Sequence, residues 1–148
     1  MLTWINLFAL APLQGYVYFE ALVDEKTNHA IGWSARTNDA STSPYAYEIV
    51  YSDGVNEVRS TRGTFEHARW AVGGLANHFA GNAAAVMPMN TLLQFAKEGW
   101  ILSENNSSST NRYIVTRPAA QGHQPAVEQM LGAGPTIVEA IINAAQSA

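Results

Sequence analysis

Asn90-Thr91-Leu92-Leu93-Gln94-Phe95-Ala96-Lys97-Glu98-Gly99-Trp100-Ile101-Leu102-Ser103-Glu104 decides the fold, because here every local signal agrees. Asn90 to Glu98 reads as an amphipathic helix and Gly99 as its stop. Trp100 to Glu104 reads as a strand, Asn105 to Asn111 as a polar tip, and Arg112 to Arg117 as the returning strand, closed by Pro118. A glycine-stopped helix followed by a hairpin that packs back on it is a common way to bury one apolar face.

Upstream of this unit the pattern is that of strands. Gly15 to Val23 is rich in β-formers, Asp24 to Asn28 is a turn, and Ala30 to Arg36 is a second strand with Ile31, Trp33 and Ala35 on one face. After a polar loop, Thr37 to Pro44, the run Tyr45 to Tyr51 alternates, with Tyr45, Tyr47, Ile49 and Tyr51 opposed to Ala46, Glu48 and Val50. Ser52-Asp53-Gly54 signals a tight turn, and Val55 to Thr61 returns as a fourth strand. Thr64 then caps a helix over 65–80, whose stripe is Phe65, Ala68, Val72, Leu75 and Phe79. Gly73-Gly74 in its middle costs about 1 kcal/mol per glycine relative to alanine, and marks a close backbone approach or a break. Pro88 delays the next helix to Met89.

Downstream, 118–124 reads as a linker, Pro125 to Gly132 as a short helix, and Thr136 to Gln146 as a terminal helix with the wide stripe Ile137, Val138, Ile141, Ile142 and Ala145. Strands and helices in blocks predict an α+β domain spanning 1–148: an antiparallel meander, two helices, a hairpin and a C-terminal amphipathic helix, with 125–148 helical.

Composition narrows the function classes. The 148 residues are 47% apolar but only 14% charged, with a net charge of −4 and two lysines, Lys26 and Lys97. Such a surface repels like copies weakly and draws in neither nucleic acid nor anionic lipid. With no cysteine there is no disulfide, thiolate nucleophile or thiolate metal site. Met1 to Leu13 is an uncharged, nearly all-apolar arm. It lacks the basic start and long apolar core of a signal peptide and is too short to span a bilayer, so a cytoplasmic or virion-associated location is expected over a secreted one.

The unit at 90–118 resembles two known arrangements. The run Leu92 to Ile101, with Glu98-Gly99-Trp100 at its centre and Arg117-Pro118 closing the hairpin, is similar to a short bacterial and phage domain family of unknown function. It also resembles the wing half of a winged-helix domain, with Leu75 to Phe79 standing for the preceding helix. The first resemblance implies no activity. The second implies DNA binding, which the residues oppose: Ala83 to Glu98 offers only Asn90, Thr91, Gln94 and Lys97 to bases and phosphates, and the tip has no cation before Arg112.

No nucleophile elbow, phosphate loop, dinucleotide fingerprint or zinc-protease motif is present, and no catalytic residue is assigned. His67 and His78 lie three turns apart, about 16 Å along the axis, so no metal site is expected from them. Glu48 and Glu57 face each other across the Asp53-Gly54 turn as a solvated pair of carboxylates. Arginines beside aromatics are more suggestive. Arg36, Arg59, Arg112 and Arg117 with Trp33, Tyr47 and Tyr113 form a candidate site for a phosphorylated or nucleotide ligand. Trp4, Leu7, Phe8 and Leu10 in the arm, with Ile137, Ile141 and Ile142 in the last helix, form a candidate interface. The expectation is a non-enzymatic subunit without cofactors that assembles with itself or a protein partner, of the kind found among phage and bacterial structural or accessory proteins.

Overall fold

The alternation in the first half of the chain is realised as a meander. The computed structural model describes residues 2–10, 13, 15–37, 47–79, 85–117 and 129–147. Strands β1 (Leu2–Asn6), β2 (Tyr16–Asp24), β3 (His29–Thr37), β4 (Tyr47–Ser52) and β5 (Glu57–Arg62) pair antiparallel in that order. The two-residue strand β6 (Met87–Pro88) joins β3 beyond the end of β4. The expected loop at 37–44 lies almost wholly outside the described residues, as does the linker at 118–124.

The apolar arm is part of this sheet. Leu2 pairs with Asp24 and Asn6 with Glu20, and Leu7, at the start of the single helical turn α1 (Leu7–Leu10), is fully buried.

Both faces of the meander are covered. Helix α2 (Phe65–His78) lies on one face, where Ala68, Val72 and Ala76 pack with Leu22, Ile31, Ile49 and Tyr51. Its start follows from Thr64, whose hydroxyl accepts the His67 N–H at 3.2 Å. The other face carries α3 (Met89–Glu98), the strands β7 (Ile101–Glu104), β8 (Tyr113–Arg117) and β9 (Gln129–Gly134), and helix α4 (Ile137–Ser147). Trp33 and Phe19 of the main sheet meet Leu92 and Phe95 of α3, Trp100, Val115 of β8, and Ile137 and Ile141 of α4 in one core. The helix–hairpin unit forms as its residues predict. Gly99 takes φ +67°, and its N–H and that of Trp100 close the end of α3 on Ala96 and Phe95.

Four expectations are corrected by packing. Ile31 does not share a face with Trp33 and Ala35. A bulge between the Leu22–Gly32 and Val23–Ala30 pairs turns Ile31 toward α2 and Ala30 toward the opposite core. The Asp53-Gly54 turn is a four-residue loop, with β5 beginning at Glu57 instead of Val55. Its Asp53 carboxylate accepts from the Val55 and Asn56 N–H groups at 2.9 and 2.6 Å, which makes the wider loop self-satisfied. Gly73 and Gly74 neither break α2 nor meet another backbone, since a Cβ on either would touch nothing within 4 Å.

The fourth correction concerns Pro125 to Gly132. Residues 125–128 lie outside the described set, but Gln129–Gly134 is a strand, hydrogen-bonded to β8. Glycine spacing decides this. A Cβ on Gly132 would stand 2.7 Å from the Ala144 Cα and 2.9 Å from the Ala140 carbonyl oxygen, and one on Gly134 would stand 2.9 Å from the Glu139 Cβ. Bare backbone at both positions lets α4 lie directly on β9. Thr136 caps that helix by accepting the Glu139 N–H at 3.2 Å.

Gly132→Ala is therefore expected to destabilise the protein by on the order of 3 kcal/mol, as overpacking against a rigid backbone does. Urea unfolding of the variant beside the parent protein checks this.

Candidate functional site

The arginines and aromatics singled out in the sequence do not converge. They divide between the two faces of the main sheet, and most are already engaged.

On the α2 face, Arg36 lies over the Tyr47 ring at 5.6 Å, and Tyr47 meets Tyr18 edge to face at 5.7 Å. The centre of this face is a buried carboxylate, Glu20, only 3% exposed. It accepts hydrogen bonds from the Tyr18 hydroxyl and from Nε and Nη2 of Arg69 on α2. The Arg69 guanidinium in turn lies over the rings of Trp4 and Phe65, at 5.4 and 5.1 Å. Burial and the hydrogen bond to Glu20 push the Tyr18 phenol well above its ordinary range. Ser34, buried on the strand position opposite Glu20, lies beside this cluster. Sequence reasoning missed Arg69. The available signal was its position four residues after Phe65 on a helix flank, where its stem crosses an aromatic face.

The opposite face holds Arg59, Glu48 and Glu57. Arg59 pairs with Glu48 at 3.3 Å and donates to the Leu102 carbonyl of β7 at 3.0 Å, tying the smaller sheet to the larger. Glu48 and Glu57 are not a facing pair: Glu48 stands opposite Thr61, and Glu57 opposite Ser52. The Glu57 carboxylate accepts from the Ser52 hydroxyl at 3.0 Å, while its other oxygen is buried without a partner among the described residues. Burial pushes its pKa up to about 7. The Ser52 hydroxyl, the Ile137 backbone N–H and the charge of Arg112 oppose that rise, while Asp53 adds to it.

Trp33 is excluded from any ligand site, since it is buried in the core, stacked on Phe19 at 6.2 Å and beside Phe95 at 6.1 Å. Tyr113 is buried too, with Arg112 over its ring at 5.7 Å. Arg117 is exposed at the far end of β8, opposite Gln129. Arg112 reaches a cleft. This space of about 340 Å³ is lined by Asn105 to Ser109, Arg112 and Pro135. Its amides and hydroxyls are partly spent on the hairpin tip itself. Asn105 Oδ1 accepts from the Ser107 N–H and hydroxyl at 3.2 and 2.6 Å, and Ser108 Oγ accepts from the Asn111 N–H at 3.1 Å.

The interface candidates also divide. Leu7, Ile137 and Ile141 are fully buried in the chain's own core, and Ile142 and Trp4 are partly buried against it. Phe8 and Leu10 stay out, 44% and 64% exposed. Helices α2 and α3 occupy opposite faces of the sheet, so they do not form the adjacent pair that a helix-turn-helix requires. His67 and His78 are exposed, and no cluster of three or more metal-ligating side chains occurs among the described residues. No helix among them is long and apolar enough to cross a membrane.

Because the folded state holds the Glu57 proton more tightly than the unfolded chain, this group makes the protein lose stability as the pH rises from about 4.5 to about 7. Glu57→Gln should flatten the denaturation midpoint across that window, read by urea melts at intervals of pH.

Comparisons with protein-family models, with curated proteins and with solved structures find no match for this chain.

Proposed function

We propose that the protein is a non-enzymatic subunit that works by assembling with copies of itself or with a protein partner. What carries this reading is the corner built by β1 and α1. Strand β1 is the terminal strand of the main sheet, so its outer backbone edge has no sheet partner among the described residues. Leu2, Phe8 and Leu10 stand exposed around it. An open apolar edge is a template for another chain, and natural monomers blunt such edges with charge, proline or a covering element. Here Leu2–Leu10 contains no charged residue or proline. The inward engagement of Arg59 and Arg69, which takes those two cations away from the surface, supports this reading.

Replacing Phe8 and Leu10 with serine leaves the buried Leu7 and the β1–β2 pairing in place. The double variant should show a smaller native mass than the parent protein by light scattering at micromolar concentration. An unchanged monomer in both would overturn the reading.

A second reading rests on the Arg112 cleft. One guanidinium beside serine hydroxyls and asparagine amides has the donors that an anionic phosphoryl group requires. It predicts that inorganic phosphate or a nucleoside triphosphate raises the melting temperature, and that Arg112→Ala abolishes the rise. No shift in a thermal-denaturation screen removes it.

A further inference from the structure

A carboxyl group stands close to the Arg112 cleft. Arg112 precedes β8, and its guanidinium lies over the Tyr113 ring at 5.7 Å. Tyr113 pairs across the ladder with Gly134, next to Pro135, which lines the cleft. Two residues further on, Ile137 opens α4, and its backbone N–H acts on the Glu57 carboxyl. Glu57 opens β5, where the Ser52 hydroxyl donates to it at 3.0 Å. The end of the hairpin, the start of α4 and the start of β5 therefore meet around one guanidinium. Arg112 is shared: it lines the cleft, and its charge also acts on Glu57.

The other groups around Glu57 hold steady near neutral pH or are engaged elsewhere. Next to Ser52 of β4 is Asp53. Burial works against its charge, but hydrogen bonds from Asn56, Val55 and Tyr51 hold its carboxyl below the usual range. From β8, burial pushes the Tyr113 phenol up, so the ring stays neutral. Arg59, on the same strand as Glu57, is paired with Glu48 and the Leu102 carbonyl. Glu104 of β7 stands opposite Tyr113, and Glu139 of α4 accepts from the Thr136 hydroxyl at 3.2 Å. Glu57 itself, raised to about 7 by burial, changes charge near neutrality.

We infer that the Arg112 cleft binds a doubly charged tetrahedral oxyanion, a phosphoryl or sulfuryl group, and that its occupancy is coupled to a proton on Glu57. The inference rests on the anion reading of this cleft given above and adds its regulation. With Glu57 ionised, the carboxylate and the incoming anion repel each other and compete for one guanidinium. With Glu57 neutral, the charge of Arg112 acts on the anion alone. The coupling is reciprocal. An anion that offsets the Arg112 charge removes a force that favours the carboxylate, so binding draws a proton from water onto Glu57. No bond of the ligand is made or broken. The site is thus strongest below neutral pH and weakens as the pH rises through the titration of Glu57.

The test uses sulfate and the full chain in titration calorimetry, with ionic strength held constant by chloride. Sulfate keeps its charge across the range, whereas a phosphate monoester titrates within it. Affinity for sulfate should fall about fivefold between about pH 6 and about pH 8.5. Glu57→Gln should bind at every pH as tightly as the parent protein does at low pH, Glu104→Gln should keep the parent's pH response, and Arg112→Ala should not bind. Near neutral pH, titrations in buffers of different ionisation enthalpy should show proton uptake by the parent protein and none by Glu57→Gln. This buffer comparison decides the matter on the parent protein alone if Glu57→Gln does not fold. Sulfate binding that needs Arg112 but takes up no proton overturns the coupling and leaves the cleft reading standing. A pH response that is lost in Glu104→Gln, or kept in Glu57→Gln, overturns the assignment to Glu57. A parent protein that binds no sulfate at any pH, or binding that survives Arg112→Ala, overturns both.

Discussion

The structure depends on β3 being narrow enough to be covered on both sides. Six of its nine residues, Ala30 to Ala35, are buried. Gly32 is the tightest point. A Cβ there would stand 2.6 Å from the Val50 carbonyl oxygen and 2.9 Å from Cγ1 of Val72. The missing side chain lets α2 and β4 close down together, and the adjacent bulge delivers Ile31 to α2 and Ala30 to the other core. Without that switch, one face would carry an uninterrupted row of large side chains and the other would be starved of contacts.

Glycine solves the same problem in the second layer. Gly132 and Gly134 let α4 rest on β9, and α4 in turn presses Ile137 and Ile141 toward the main sheet. The hairpin of β7 and β8 is thereby held between two helices and the large sheet. Arg59 fastens this arrangement with a hydrogen bond from β5 to the Leu102 carbonyl. The charged groups closest to the core are thus architectural. Glu20 is paired with Arg69, and Arg59 with Glu48 and a backbone carbonyl. A charge placed inside a fold must be matched where it sits, which holds Arg59 and Arg69 away from an outside ligand. Apolar and aromatic side chains also stand on the surface, among them Phe8, Leu10, Val55 and Trp70.

Much of the fold was legible, and the legible parts share a cause. The Thr64 cap, the Gly99 stop and the return of the hairpin after Arg112 all follow from groups within a few residues of one another. The meander was legible from alternation, with Tyr47, Ile49 and Tyr51 facing α2 and Val50 facing the other core. The candidate site was far less so. Reading arginines beside aromatics gathered Arg36, Arg59, Arg112 and Arg117 with Trp33, Tyr47 and Tyr113 as one set, whereas Arg36 lies over Tyr47 and Arg112 over Tyr113 in separate places. It placed Trp33 among them because alternation cannot tell which of two covered faces a residue takes, or that both are covered.

The amino-acid sequence alone determined the α+β class, the order of the meander and the helix–hairpin corner, because each rests on hydrogen bonds and torsions inside one short segment. Tertiary structure decided the rest. Gln129–Gly134 is a strand because β8 offers it a ladder and α4 tolerates only glycine above it. The arm at Leu2–Asn6 is a sheet edge because β2 pairs with it. Arg69 meets Glu20 across 49 residues and Arg59 meets Leu102 across 43. Contacts over such separations leave no local trace, since the energy that fixes them comes from burial shared among elements that no single segment contains.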